Sequence, residues 1–262
     1  MQAVVITGAS AGIGKEFARQ LAAEGKSLVL VARRLDRLEA LAAELRDGHG
    51  IEVACIASDL AQPQASAELV KALEEQQIAV TGLINNAGFG DRGQFADLDL
   101  QRQLDMVQVN VTALVDLTWR LVPALKQAQD AFVINVASTA AFQPLPGQAG
   151  YGAGKAFVLS YTQSLAGELR GTGVTATTLC PGPVHTGFGE RAGFSKEDAE
   201  AALPPVMWVS AQQVALDAVK GLDRGRLVVI PGRANRVAAA FAQVTPRSLL
   251  LPVLVKNHPG LR

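Results

Sequence analysis

The stretch "AVVITGASAGIG", residues 3–14, decides how the rest of the chain is to be read. A β-branched, apolar run ends abruptly in a turn holding Gly8, Gly12 and Gly14, and a helical pattern begins near residue 13. Glycine is needed where backbone turns with positive φ or lies against a ligand. At a helix start, free N–H groups and the helix dipole suit a pyrophosphate. The turn therefore reads as a phosphate cradle, with Ser10, Ala11 and Ile13 inside it. Its spacing, G-x-x-x-G-x-G, departs from the common dinucleotide fingerprint G-x-G-x-x-G, and a plain strand-to-helix turn is the alternative.

Outward from this turn, short β-branched runs alternate with longer helical patterns. Strands are expected at 3–7, 27–32, 52–57, 82–86, 131–137, 174–180 and 226–230, and helices near 13–24, 35–46, 64–76, 99–125, 152–170 and 211–222. Strands that are apolar throughout suit a parallel sheet covered on both faces, and the alternation implies βαβ units with right-handed crossovers. The expected fold is α/β: a Rossmann-type, doubly wound, seven-stranded parallel sheet in one domain spanning 1–262. Two regions break the pattern. Residues 184–210 form a long connection of the kind that binds substrate. The tail, 233–262, mixes basic and apolar residues and reads as a last helix on the core or on a partner subunit, with contact to a membrane surface as the lesser alternative.

Composition narrows the function. Lys+Arg and Asp+Glu both number 24 in 262 residues, so there is no global basic field to hold nucleic acid. Cys55 and Cys180 sit in apolar segments and read as buried hydrophobes of a reducing compartment. His49, His185 and His258 lack metal-ligand spacing, so no metal is expected. The N-terminus has no signal-peptide pattern, and "LLLPVLV" (249–255) is too short to span a bilayer. The expectation is a cytoplasmic protein without a transmembrane segment.

The second strand ends in "VARRLDRL" (31–38). An acid near this place would hold a ribose 2′-hydroxyl. Arg33 and Arg34 stand there instead, and guanidinium donors match a 2′-phosphate. That favours NADPH over NADH, with Arg33 the first candidate and Lys15 a weaker one. Alternatively both arginines open a charged helix beside Asp36 and Glu39, or Asp36 is a displaced ribose ligand. "SDL" (58–60) closes the third strand, so Asp59, with Leu60 beside it, is a candidate acceptor for the adenine amino group. Farther on, "GYGAGKAF" (150–157) places Tyr151 and Lys155 one helical turn apart. A lysine beside a phenol can lower its pKa, although such a pair by itself is also ordinary helix surface.

Taken in order, these residues resemble the short-chain dehydrogenase/reductase superfamily from Val4 to about Thr186. The resemblance rests on Gly8, Gly12 and Gly14, "NNAG" (85–88), Asn110, Ser138 ahead of Tyr151, Tyr-x-x-x-Lys and "PGPVHT" (181–186). It implies Tyr151 as general acid in carbonyl reduction and Ser138 as the group polarising the carbonyl oxygen. It implies that Lys155 grips the ribose and lowers the Tyr151 pKa, and that Asn110 anchors a water linking Lys155 to solvent. Asn86, Ala87 and Gly88 would line the adenosine ribose. Pro181, Gly182, Val184 and Thr186 would hold the nicotinamide end. The implied activity is NADPH-dependent reduction of an apolar ketone or aldehyde, with a 3-oxoacyl thioester or steroid-like ketone ranked first. Pocket candidates are Phe89, Phe142, Pro144, Leu145, Tyr151, Phe188, Phe194, Leu203, Met207 and Trp208. The family habit implies a homodimer or homotetramer. The alternative is a non-catalytic NADPH-binding sensor or structural subunit, which would need the cradle but not the Ser–Tyr–Lys set.

Overall fold

A computed structural model of the chain describes residues 1–193 and 203–257. The β-branched runs form β1 (Gln2–Thr7), β2 (Leu28–Ala32), β3 (Val53–Ala57), β4 (Ala79–Asn85), β5 (Phe132–Val136), β6 (Thr175–Leu179) and β7 (Val228–Val229). All pair in parallel, in the order β3-β2-β1-β4-β5-β6-β7. The helices are α1 (Gly12–Ala23), α2 (Leu35–His49), α3 (Ala65–Glu75), α4 (Leu100–Val107), α5 (Ala113–Leu125), α6 (Ala149–Glu168), the short α7 (Phe188–Arg191), α8 (Ala211–Asp223), α9 (Arg233–Val244) and α10 (Arg247–Asn257).

The alternation of strand and helix is set by burial on both faces. One apolar layer joins Ile6, Leu30 and Ile134 of the sheet to Phe17 and Leu21 of α1, Leu38 of α2 and Val214 of α8. The other joins Val5, Val31 and Val133 to Leu69 of α3 and to Leu117 and Leu121 of α5. The strand order reverses between β1 and β4, and at such a switch point a crevice opens beyond the carboxyl ends of the strands. The glycine turn after β1 and the Asn86–Gly88 turn after β4 flank that crevice.

Two departures from the expected elements matter for the site. The helix expected over 99–125 is interrupted by a π-helical turn, Gln108–Thr112, that carries Asn110. Such turns insert one residue and redirect a side chain, and they concentrate at functional sites. The tail forms two helices, α9 and α10, of which α9 packs Ala239 and Ala242 against Phe142 and Val158.

Candidate active site

The glycine turn is built for close approach. Gly8 and Gly12 hold positive φ of 68° and 57°. A Cβ on Gly14 would run into the Gly8 carbonyl oxygen, so the third glycine serves packing between turn and helix and does not line the cleft. Ala11, the N-cap of α1, provides no side-chain cap, and the first turn of that helix carries no acid. The donors of this helix start thus face the cleft without a side-chain acceptor, as a phosphate site requires. Thr7, which no sequence pattern singled out, fixes the turn against β4. Its Oγ1 accepts from the N–H groups of Asn86 and Ala87, both at 3.0 Å. Asn86 returns the connection, donating Nδ2 to the Thr7 carbonyl at 2.9 Å.

At the end of the cleft beside β2, Arg33 and Arg34 are both exposed on the wall. Arg34 donates to Ser10 Oγ at 3.2 Å, bridging the second strand to the cradle. Neither arginine takes part in a salt bridge among the described residues, and Asp36 does not line the cleft. Lys15 is drawn toward Glu44, at 4.0 Å, and is not part of the wall. Asp59 accepts the Ala61 N–H at 3.2 Å, a local turn that sets its carboxylate beside Ser58 and Leu60 in the lining.

At the other end, Ser138 stands at the tip of β5 and Tyr151 and Lys155 lie in the first turns of α6, all three bordering the same cleft. Ser138 Oγ accepts the Ala140 N–H at 3.1 Å and lies 3.4 Å from the Pro181 carbonyl oxygen, and the Tyr151 ring meets that of Phe188 at 5.7 Å. Lys155 donates from Nζ to the Val136 carbonyl at 2.8 Å and lies 5.8 Å from the centre of the Tyr151 ring. Burial pushes the Tyr151 phenol up to about 12, with Ser138 pulling weakly the other way. Burial brings Lys155 down to about 8. The Lys155 ammonium lies beside the ring and donates to a backbone carbonyl, and burial is the largest influence on the phenol.

Asn110 is buried and borders no part of the cleft. Its Oδ1 accepts from Phe89 N–H at 3.1 Å and its Nδ2 donates to Phe89 C=O at 2.9 Å. One donor and one acceptor of the carboxamide hold the turn after β4. Gly88 is what lets this happen, since a Cβ there would come within 2.9 Å of Asn110 Oδ1 and 3.5 Å of Lys155 Nζ. The glycines of "GYGAGKAF" have a similar explanation. A Cβ on Gly150 would approach Met106 Cε to 2.9 Å, and one on Gly152 would approach Leu145 Cβ to 3.0 Å, so α6 packs tightly at its start. A buried amide ladder also went unread in the sequence. Asn85 donates to Thr118 and Asn135, and Asn135 donates to Thr162, which ties α5 and α6 to the sheet below Tyr151.

The described residues of the loop after β6 supply one wall of the cleft. Thr186 lies against Gly12, where a Cβ would meet its Cγ2 at 3.2 Å, and Val184 bridges to Val209 at the loop's base. Pro181, Gly182, Val184 and Thr186 all line the cleft. Of the pocket candidates, Phe89, Leu145, Phe188, Leu203, Met207 and Trp208 line it as well. Phe142 does not, because it is buried under α9, and Pro144 lies outside the wall. Phe194 lies outside the described residues. The wall gains residues that sequence patterns did not mark: Ala238, Ala239 and Ala242 of α9, His185 stacked on Trp208 at 4.5 Å, and Arg102. Arg102 is ion-paired with Asp91 at 3.1 Å and sits over the Phe89 ring.

The cleft encloses about 1670 Å³, more than the roughly 300–1,000 Å³ of a single-ligand pocket, so it has room for a dinucleotide and a second molecule. An uncapped helix N-terminus, two arginines at one end and a phenol–hydroxyl–ammonium group at the other fit a nicotinamide dinucleotide in chemistry and order.

Comparison with known proteins agrees with this architecture. The sequence model described as short chain dehydrogenase matches residues 2–196. Sulfoacetaldehyde reductase of Chromohalobacter salexigens is 39% identical over 215 residues, 81% of this chain and 84% of the relative. A short-chain dehydrogenase from Sphingobium yanoikuyae, solved in complex with NADPH, superposes with a TM-score of 0.81 at 35% identity, covering 96% of both chains. A short-chain dehydrogenase/reductase from Burkholderia phymatum, solved in complex with NAD, gives a TM-score of 0.79 at 26% identity over 92% of each chain.

Proposed function

This chain belongs to the short-chain dehydrogenase family of NAD(P)-dependent oxidoreductases acting on alcohol and carbonyl groups, and on that premise we propose that it is an NADPH-dependent carbonyl reductase with Tyr151 as its general acid. The observation that carries this reading is the convergence of a buried, protonated Tyr151 with Ser138 and Lys155 on one cleft whose far end bears Arg33 and Arg34.

When bound, NADPH supplies the hydride equivalent that the carbonyl carbon accepts. Tyr151 keeps its proton across the neutral range, because burial holds the phenol near 12, and releases it to the carbonyl oxygen as that oxygen becomes an alkoxide. Ser138 Oγ, on the same cleft wall as the phenol, donates to the same oxygen and stabilises its developing charge. Lys155 retains its charge at pH 7, titrating near 8, and grips the ribose one turn along α6. Asn110 acts as a positioning residue through Phe89 and Gly88. Arg33, and Arg34 through its bridge to Ser10, bind the 2′-phosphate; Asp59 faces the adenine; Val184 and Thr186 hold the carboxamide.

The substrate end is walled by Phe89, Leu145, Phe188, Met207, Trp208 and Ala239, and among the described residues lining it the cation, Arg102, is paired with Asp91. An apolar ketone or aldehyde suits that wall better than an anion. Leu104, Trp119 and Phe157, exposed on α4, α5 and α6, support a homodimer or homotetramer formed through those helices. The test is NADPH and NADH consumption against apolar ketones, aldehydes and 3-oxoacyl thioesters, with Tyr151→Phe alongside. The variant is expected to lose about 10²–10⁴-fold in turnover while binding NADPH normally. Undiminished turnover would remove Tyr151 as the acid, and NADPH binding without turnover on any carbonyl would favour a sensor.

A further inference from the structure

The C-terminal helices carry a surface that the cleft does not use. After Asp223 the sequence contains no aspartate or glutamate, whereas Arg224, Arg226, Arg233, Arg236, Arg247 and Lys256 fall in the described part of it. On α9 the buried residues Asn235, Ala239 and Ala242 define one side. At 100° per residue, Arg233, Arg236, Val237, Phe241 and Val244 occupy an arc of roughly 140° on the other. Val237 is 70% exposed, Phe241 64% and Val244 79%. Beyond them α10, "RSLLLPVLVKN", is apolar around its circumference, with Leu249, Leu251, Val253 and Val255 all exposed. A helix that is apolar all round is ordinarily buried in something.

We propose that α9 and α10 form a peripheral docking surface for an anionic phospholipid bilayer. The charge selects this occupant. Arg233 and Arg236, exposed beside the apolar arc of α9, complement an anionic surface, and each arginine near such a surface contributes about 1 kcal/mol. A second copy of the chain is disfavoured, because the sequence from Arg224 onward supplies no acid for a partner's Arg233 and Arg236 to meet. Self-association also has its own apolar face on α4–α6. The eleven residues of α10 extend about 16 Å, roughly half the hydrocarbon thickness, so the helix lies in the interface and does not span it.

The surface is rigidly joined to the cleft. Arg247 donates to the carbonyls of Ala242 and Phe142, each at 3.0 Å, pinning the α9–α10 corner to the turn that follows Ser138. The inner side of α9, Ala239 and Ala242, is cleft wall. Docking therefore sets the substrate end of the cleft about one helix diameter from the lipid, roughly 10 Å.

The test is flotation of the full chain with vesicles of phosphatidylcholine, with and without phosphatidylglycerol. Recovery is expected with the anionic vesicles, at least about tenfold weaker with the zwitterionic ones and weaker at high salt. Phe241→Ser combined with Val244→Ser is expected to lower binding at least about tenfold with an unchanged melting curve. Arg233→Glu combined with Arg236→Glu, which leaves the apolar surface intact, is expected to do the same. No flotation, equal recovery on both lipids, or full binding by the charge-reversed variant would overturn the proposal. So would a drop in sedimentation mass for the Phe241/Val244 variant, which would make the surface a contact between copies.

Discussion

Lys155 offers a sharp test of the site's electrostatics, because its burial leaves a signature in the pH dependence of stability. Folding lowers its pKa from 10.5 to about 8, chiefly by desolvation of the ammonium. Below pH 8 the lysine is protonated in both states, and the folded protein carries the full cost of the buried charge. Between pH 8 and 10.5 the unfolded chain binds the extra proton, so stability rises with pH; above 10.5 the slope ends. At 1.36 kcal/mol per unit the rise amounts to about 3 kcal/mol. Lys155→Met lacks the titrating group and therefore the slope. The variant also strips the Val136 carbonyl of its donor, costing about 1–3 kcal/mol, but that cost does not vary with pH. Tyr151, raised to about 12, destabilises both proteins above pH 10 and cancels in the difference. Urea denaturation of both proteins without added nicotinamide, at pH 7, 8.5 and 10, measures the gap. It is expected to move by about 3 kcal/mol in favour of wild type. Parallel curves would refute the buried, charge-strained lysine.

Arg34→Ala is expected to weaken NADPH by about tenfold or more while sparing NADH, since one charge-assisted contact is worth about 1.5–3 kcal/mol; fluorescence titration with both cofactors checks it. Asn110→Ala leaves the Phe89 N–H and C=O unpaired and is expected to cost about 1–3 kcal/mol in urea denaturation, with kcat falling although the residue borders no ligand. Two glycine substitutions are expected to act in opposite directions in thermal melts. Gly14→Ala drives a Cβ into the Gly8 carbonyl and lowers both melting temperature and cofactor affinity. Gly167→Ala in α6, with nothing within 4 Å, stabilises by about 0.5–1 kcal/mol through helix propensity.

The layout of the sheet was legible because each strand is an apolar, β-branched run and each helix shows a separate period. All seven strand positions follow from that, and only β7 is much shorter, Val228–Val229 against an expected 226–230. That the glycine turn, Arg33, Arg34, Ser138, Tyr151 and Lys155 belong together was legible too, since residue type and short spacing mark them, and all border one cleft. What was hidden depends on distance between remote segments. Thr7 is an unremarked strand-end residue until β4 brings the Asn86 and Ala87 amides to its hydroxyl. Ala238, Ala239 and Ala242 look like helix filler until α9 folds over the cleft.

Sequence alone thus determined the doubly wound class and marked the glycine turn, Ser138, Tyr151 and Lys155, which the fold gathers on one cleft, because periodicity and chemical type are local properties. Tertiary structure decided what those groups experience. It buried Tyr151 and Lys155 far enough to move their pKa values in opposite directions. It turned Asn110 from the cleft toward Phe89 through a π-helical turn, and it left the outer faces of α9 and α10 uncovered. Desolvation and exposure are set by which distant segments pack together, and no spacing along the chain encodes them directly.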